Sequence, residues 1–113
     1  MVDTSALRTI IPSKLLKNIK TLNIKDVYAQ GICDRPTKFM LSHLGVALAV
    51  NDECVISIHG VLIPLEDKVE EKLEEILNAH NAGAILGLIS MDELHVTIDE
   101  KTKKPKLVPL MIL

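Results

Sequence analysis

The sequence predicts a mainly β domain with two helices, an α+β fold. Three features point there. Runs rich in Val, Ile and Leu are separated by turn residues over most of the chain. One long stretch near the middle repeats its apolar residues at helical spacing. A second, shorter helical signal follows a glycine turn close to the C-terminal end. The 113 residues make one domain, 1–113. With 48% hydrophobic residues but only Tyr28 and Phe39 as aromatics, the core must be aliphatic.

Taken in order, "PSKLLKNIKTLNI" predicts a short helix, with Ser13 as N-cap and Leu15, Leu16 and Ile19 on one face. Val27, Ala29 and Ile32 alternate as in a strand, punctuated by Gly31 and Pro36. "LGVALAVNDECVISIHGVLIPL" then reads as two strands joined by a turn at Asn51-Asp52-Glu53. The weak alternation of the second run predicts little solvent on either face, and Pro64 closes it. Residues 65–80 form the clearest helix. Val69, Leu73, Ile76 and Leu77 make its apolar stripe, acidic residues crowd its first turns, and Asn81 and Gly83 offer a stop. "GAILGLISMDEL" predicts a short strand, a glycine turn and a helical turn. "HVTIDEKTKKPKLVPLMIL" predicts two β runs around a lysine-rich turn.

Composition narrows the function classes. Sparse aromatics and a formal net charge of −2 argue against base stacking and against attraction to phosphate backbones, so no nucleic-acid partner is expected. No apolar run approaches the roughly 20 residues of a membrane span. The N-terminal residues lack the basic and apolar regions of a secretory signal. A soluble, cytoplasmic chain with free Cys33 and Cys54 is the expectation.

Cys33, His43, Cys54, His59, His80 and His95 form no C-x-x-C or H-x-x-x-H pattern, so no metal is expected. No nucleophile elbow and no glycine-rich phosphate loop occurs. The four lysines of "KTKKPK" suit a solvated hairpin turn better than an anion site. What remains is Asp3, an aspartate followed by two hydroxyl residues and an apolar run. One reading is a capping or solvated side chain. The other is catalytic: water-mediated hydrolysis by paired carboxylates needs two aspartates sharing one proton, and a second copy could supply the second.

"VDTSALRTIIPSKLL" resembles the active-site turn of retropepsin-like aspartic proteases, whose pattern is hydrophobic-Asp-Thr-Gly-Ala. "AILGLISMDELHVTIDEKTKKPKLVP" resembles that family's closing segment, a hydrophobic-hydrophobic-Gly turn before a helix, a short strand and a last hairpin. The resemblance implies half of an acid-protease barrel and a homodimer hydrolysing a peptide or protein substrate, or an inactive relative of such an enzyme, with no cofactor. Asp3 would be the catalytic carboxylate. Thr4 would brace the turn, Ser5 would take the position where the family uses glycine, and Ala6 would pack behind. Gly87 would permit close approach of strand and helix. A flap would lie between Tyr28 and Gly45. The family also places a strand before its aspartate, which implies an earlier start or a truncation here. The alternative is a generic α+β hairpin–helix–hairpin domain serving oligomerisation or partner binding.

Overall fold

The computed structural model describes residues 1–3, 5–50 and 52–107. Their architecture is α+β and mainly strand. Strands β1 (Thr9–Ile10), β2 (Leu22–Ala29), β3 (Thr37–Val50) and β4 (Glu53–Pro64) form one mixed sheet in the order β1-β4-β3-β2. β2, β3 and β4 pair antiparallel, whereas β1 runs parallel to β4 through Thr9↔Val61 and Ile10↔Leu62. Helices α1 (Asp67–Ala79) and α2 (Leu88–Glu93) follow. A separate hairpin, β5 (Val96–Ile98) with β6 (Pro105–Leu107), comes last.

The two faces of the sheet carry different helices. On one, Phe39 and Leu62 pack on Val69 of α1, and Leu73 and Leu77 of the same helix close over Ile85. On the other, Met91 and Leu94 of α2 pack with Val96, Val46 and Val55. Burial of these apolar side chains is the main favourable term holding the layers together. Glu66 ties the start of α1 to the start of β3. Its carboxylate accepts the Lys38 amide at 2.8 Å and Arg35 Nη2 at 3.1 Å. Those bonds, the Lys38 amide first and then Arg35, hold its carboxyl below the usual glutamate range.

Three elements differ from their sequence reading. The helix expected from Ser13 is a four-residue 3₁₀ turn, Ser13–Leu16, with Pro12 rather than Ser13 in the capping position. Leu15 and Ile19 stay exposed there, so no packed face exists to propagate a helix past its costly first turn. β4 is covered only in its C-terminal half, from His59 onward. Ile56 and Ile58 are 75% and 72% exposed, contrary to the expected two-sided burial. Ile32 falls in the β2–β3 connection rather than in a strand.

The helix at 65–80 begins and ends within two residues of its sequence boundaries. Asn81 stops it with φ 50°, its amide donating to Asn78 O while the Ala82 amide donates to Leu77 O. Asn51 and the run beyond Leu107 lie outside the described residues.

Candidate active site

Asp3 sits on a turn whose two arms are held by the segment Ile85–Gly87. On one side Val2 bridges Leu86 in parallel, with the Asp3 amide donating to Leu86 O at 3.0 Å and the Leu86 amide to Met1 O at 2.7 Å. On the other, Ile10 and Ile85 exchange both backbone hydrogen bonds, at 2.9 and 3.0 Å. The closing segment therefore threads between the strands that enter and leave the turn. It then donates the Leu88 amide to Ala6 O and the Ile89 amide to Leu7 O as α2 begins. The arms of the turn are thus held by a segment 75 or more residues away in sequence, while inside it the Ala6 amide donates to Asp3 O at 3.2 Å.

Within the turn, Asp3 Oδ1 accepts the Ser5 hydroxyl at 2.6 Å and the Ser5 amide at 2.9 Å. The hydroxyl first and the amide second lower the carboxyl below its ordinary value of 3.8, while partial burial opposes them and the Ala6 amide and His80 add smaller pulls downward. The sequence placed Ser5 in the supporting set of the turn, at the position where the family uses glycine. Its hydroxyl is the strongest single influence on the candidate carboxylate. Thr4 lies outside the described residues. Ala6 packs toward the cluster of Leu73, Leu77 and Ile85, behind the turn.

Gly87 is where the closing segment passes closest to the outgoing arm. A Cβ there would overlap the Arg8 carbonyl group and lie 2.7 Å from the Thr9 amide nitrogen. The neighbours are backbone and cannot turn aside, so only glycine fits. Sequence reasoning missed the side chains that finish this crossing. Thr9 and Ser90 are 4% and 1% exposed. Thr9 Oγ1 accepts the Gly87 amide at 3.1 Å and donates to Ser90 Oγ at 2.6 Å, so the buried hydroxyls and the Gly87 amide are linked in one chain. Nothing local in the sequence separates these two hydroxyls from the many on the surface.

A cleft of about 660 Å³ opens beside Asp3 and Ser5. Its floor is aliphatic, from Ile10, Leu41, Leu62 and Ile85, and its far wall is the β2–β3 connection around Gln30, Gly31 and Ile32. Gly31 has φ 136°, a conformation that requires glycine. Asp3 thus faces an apolar groove bordered by a loop at the tip of a long antiparallel pair. Such a site can hold an extended chain and exclude water around a carboxylate.

The other chemically capable residues do not converge. Among the described residues no three His, Cys, Asp or Glu side chains are placed to hold a metal ion. His59 is buried under α2, with Nδ1 2.9 Å from Glu93 Oε2 but poorly aligned for a hydrogen bond. Cys33 is half-buried and Cys54 exposed, both as free thiols. No helix among the described residues is long and apolar enough to cross a membrane. Compared with known proteins, the chain matches no family model, no curated protein and no solved structure.

Proposed function

We propose that the protein is a homodimeric retropepsin-like aspartic peptidase, each copy contributing one Asp3 to the catalytic pair. The observation that carries this reading is the joint placement of Asp3, its closing segment and a looped strand pair around one apolar groove. That groove also supports the barrel-half reading of the fold. The β2–β3 connection, residues 30–36, falls inside the stretch assigned to a flap, and Gln30, Gly31 and Ile32 line the same cleft as Asp3.

Two carboxylates brought face to face cannot both ionise easily, so the pair holds one proton at working pH. The ionised member takes a proton from a bound water as its oxygen attacks the scissile carbonyl carbon. The protonated member donates to the carbonyl oxygen, giving a neutral tetrahedral diol. Transfer of a proton to the amide nitrogen then breaks the C–N bond and releases acid and amine. The hydrogen bonds from Ser5 favour the charged form of Asp3 and so favour its service as the base. Substrate would lie extended in the groove, held by strand-like backbone hydrogen bonds.

A second reading has its own observation. The uncovered half of β4, with Ile56 and Ile58 beside Gly45 and Ala47 of β3, is an aliphatic sheet face suited to a non-enzymatic oligomerisation or partner-binding module. Hydrolysis of a denatured protein by wild type and Asp3→Asn, from acidic to neutral pH, separates the two. The peptidase reading expects activity that rises toward acid and is lost by at least about a hundredfold in the variant. Equal, flat traces would leave Asp3 as a turn residue and favour the binding module.

A further inference from the structure

The cleft is lined by two cations that no described residue neutralises. The ion pairs among the described residues are Lys14–Glu74, Arg35–Glu66 and Lys38–Asp26, and His59 approaches Glu93. Arg8 and Lys25, which both line the cleft, are in none of them.

Arg8 is placed with some care. Its Nη1 occupies the space that a side chain at Gly60 would fill, 2.7 Å from the position of a Cβ there. It donates one long hydrogen bond, 3.4 Å, to the Gly60 carbonyl. Leu41 Cδ1 and His43 Cδ2 approach the same point at 3.5 and 3.6 Å, so the guanidinium lies across the β4–β3 surface on the cleft side. A guanidinium has five donors and cannot shed its charge. Among the described residues its one hydrogen bond is that to Gly60 O, and the side chain lines the groove. Lys25 stands opposite Leu41 on the neighbouring strand β2, an edge position from which its long stem can reach the same region.

The register sets the spacing. Ile10, Leu62, Leu41 and Lys25 form one row across the four strands, and Gly60 and His43 form the next row on the same face. Rows on one face are two residues apart, about 7 Å. An extended peptide presents its residues i and i+2 to one face at that same separation.

We propose that the cleft selects peptides carrying an acidic side chain two residues from a large aliphatic one, the aliphatic group over Ile10, Leu41 and Leu62 and the carboxylate on Arg8, assisted by Lys25. This rests on the peptidase reading for its consequence but not for its test. A carboxylate meeting an arginine above an apolar floor forms charge-assisted, partly desolvated bonds, which discriminate strongly against a neutral isostere.

The test uses octapeptides with a central Leu-Leu and either Glu or Gln placed two residues from it, on each side in turn. Reduced-amide versions that cannot be cleaved are labelled for fluorescence anisotropy. Wild type should bind the Glu peptide about tenfold more tightly than the Gln peptide on one of the two sides. Raising salt should shrink that ratio. Arg8→Gln should bring it close to one, and Lys25→Gln, on an exposed edge strand, should reduce it in part. Circular dichroism checks that both variants are folded. Equal binding of Glu and Gln peptides by wild type, or a preference that survives in the double variant, would overturn the proposal. Casein digestion by the same wild-type sample reads the peptidase separately. Selective binding without digestion leaves the acid preference standing and removes the peptidase. Digestion without selectivity does the reverse.

Discussion

At the scale of single residues, Ser5 decides what kind of carboxylate Asp3 is. Two donors on one oxygen hold the charged form in place before any substrate arrives. Removing the hydroxyl by Ser5→Ala keeps the amide bond but loses the stronger donor, so the Asp3 carboxyl should move up toward its ordinary value of 3.8. The sign follows for activity. The base must be ionised, so a raised carboxyl carries the acidic limb of the pH–rate profile to higher pH. A titration of the Asp3 carboxyl carbon by NMR, wild type against the variant, checks the direction. An unchanged or lower value in Ser5→Ala would remove Ser5 from the account. The sequence pointed to Asp3, Ser5 and Gly87 because their neighbours follow a recognisable order of residue types. It gave no sign of Thr9 or Ser90, whose hydroxyls matter only because the fold buries them at the crossing.

Among elements, the crossing of the closing segment over the outgoing arm of the turn tolerates the least change. Gly87 meets backbone atoms on the Arg8–Thr9 side, so Gly87→Ala forces a strand and the start of a helix apart. A cost of at least about 2 kcal/mol is expected, read as a lower denaturation midpoint at constant slope. Gly45 provides the contrast, since nothing lies within 4 Å of a Cβ there and Gly45→Ala should be neutral or slightly stabilising. Equal midpoints for the two variants would mean that the crossing can relax. The elements themselves differ in how far the sequence announced them. The helix α1 has both an apolar stripe and a defined stop, so local rules suffice for it. The stretch after Ser13 has the stripe of a helix, but it meets α1 through Ser13 and Lys14 while Leu15 and Ile19 stay exposed, and it remains a single 3₁₀ turn. For β4, composition suggested a buried strand, but helix α1 is only long enough to cover one end of it.

For the whole molecule, the peptidase reading demands a second copy. Leu7 and Leu88 are 64% and 46% exposed, and they lie beside each other where the turn meets α2, close to Asp3. Large aliphatic groups on the surface there suit a two-fold contact that brings the two turns together. The double substitution Leu7→Lys with Leu88→Lys should convert a dimer to a folded monomer in sedimentation velocity and abolish hydrolysis with it. The pair Ile56→Lys with Ile58→Lys should leave both intact. Loss of the dimer only in the second pair would move the interface to the β3–β4 face and favour the binding module.

The sequence by itself determined the aliphatic α+β class, the helix at 65–80 and the two short stretches that carry the candidate site. These depend on periodicity, turn chemistry and residue order, which are local properties of a chain. Only the tertiary structure decided that Ile85–Gly87 passes between the arms of the Asp3 turn, that the β2–β3 connection borders the same groove, and that Arg8 lies across Gly60. Each of those contacts joins segments far apart in sequence, and backbone pairing and aliphatic burial between such segments are properties no local stretch carries.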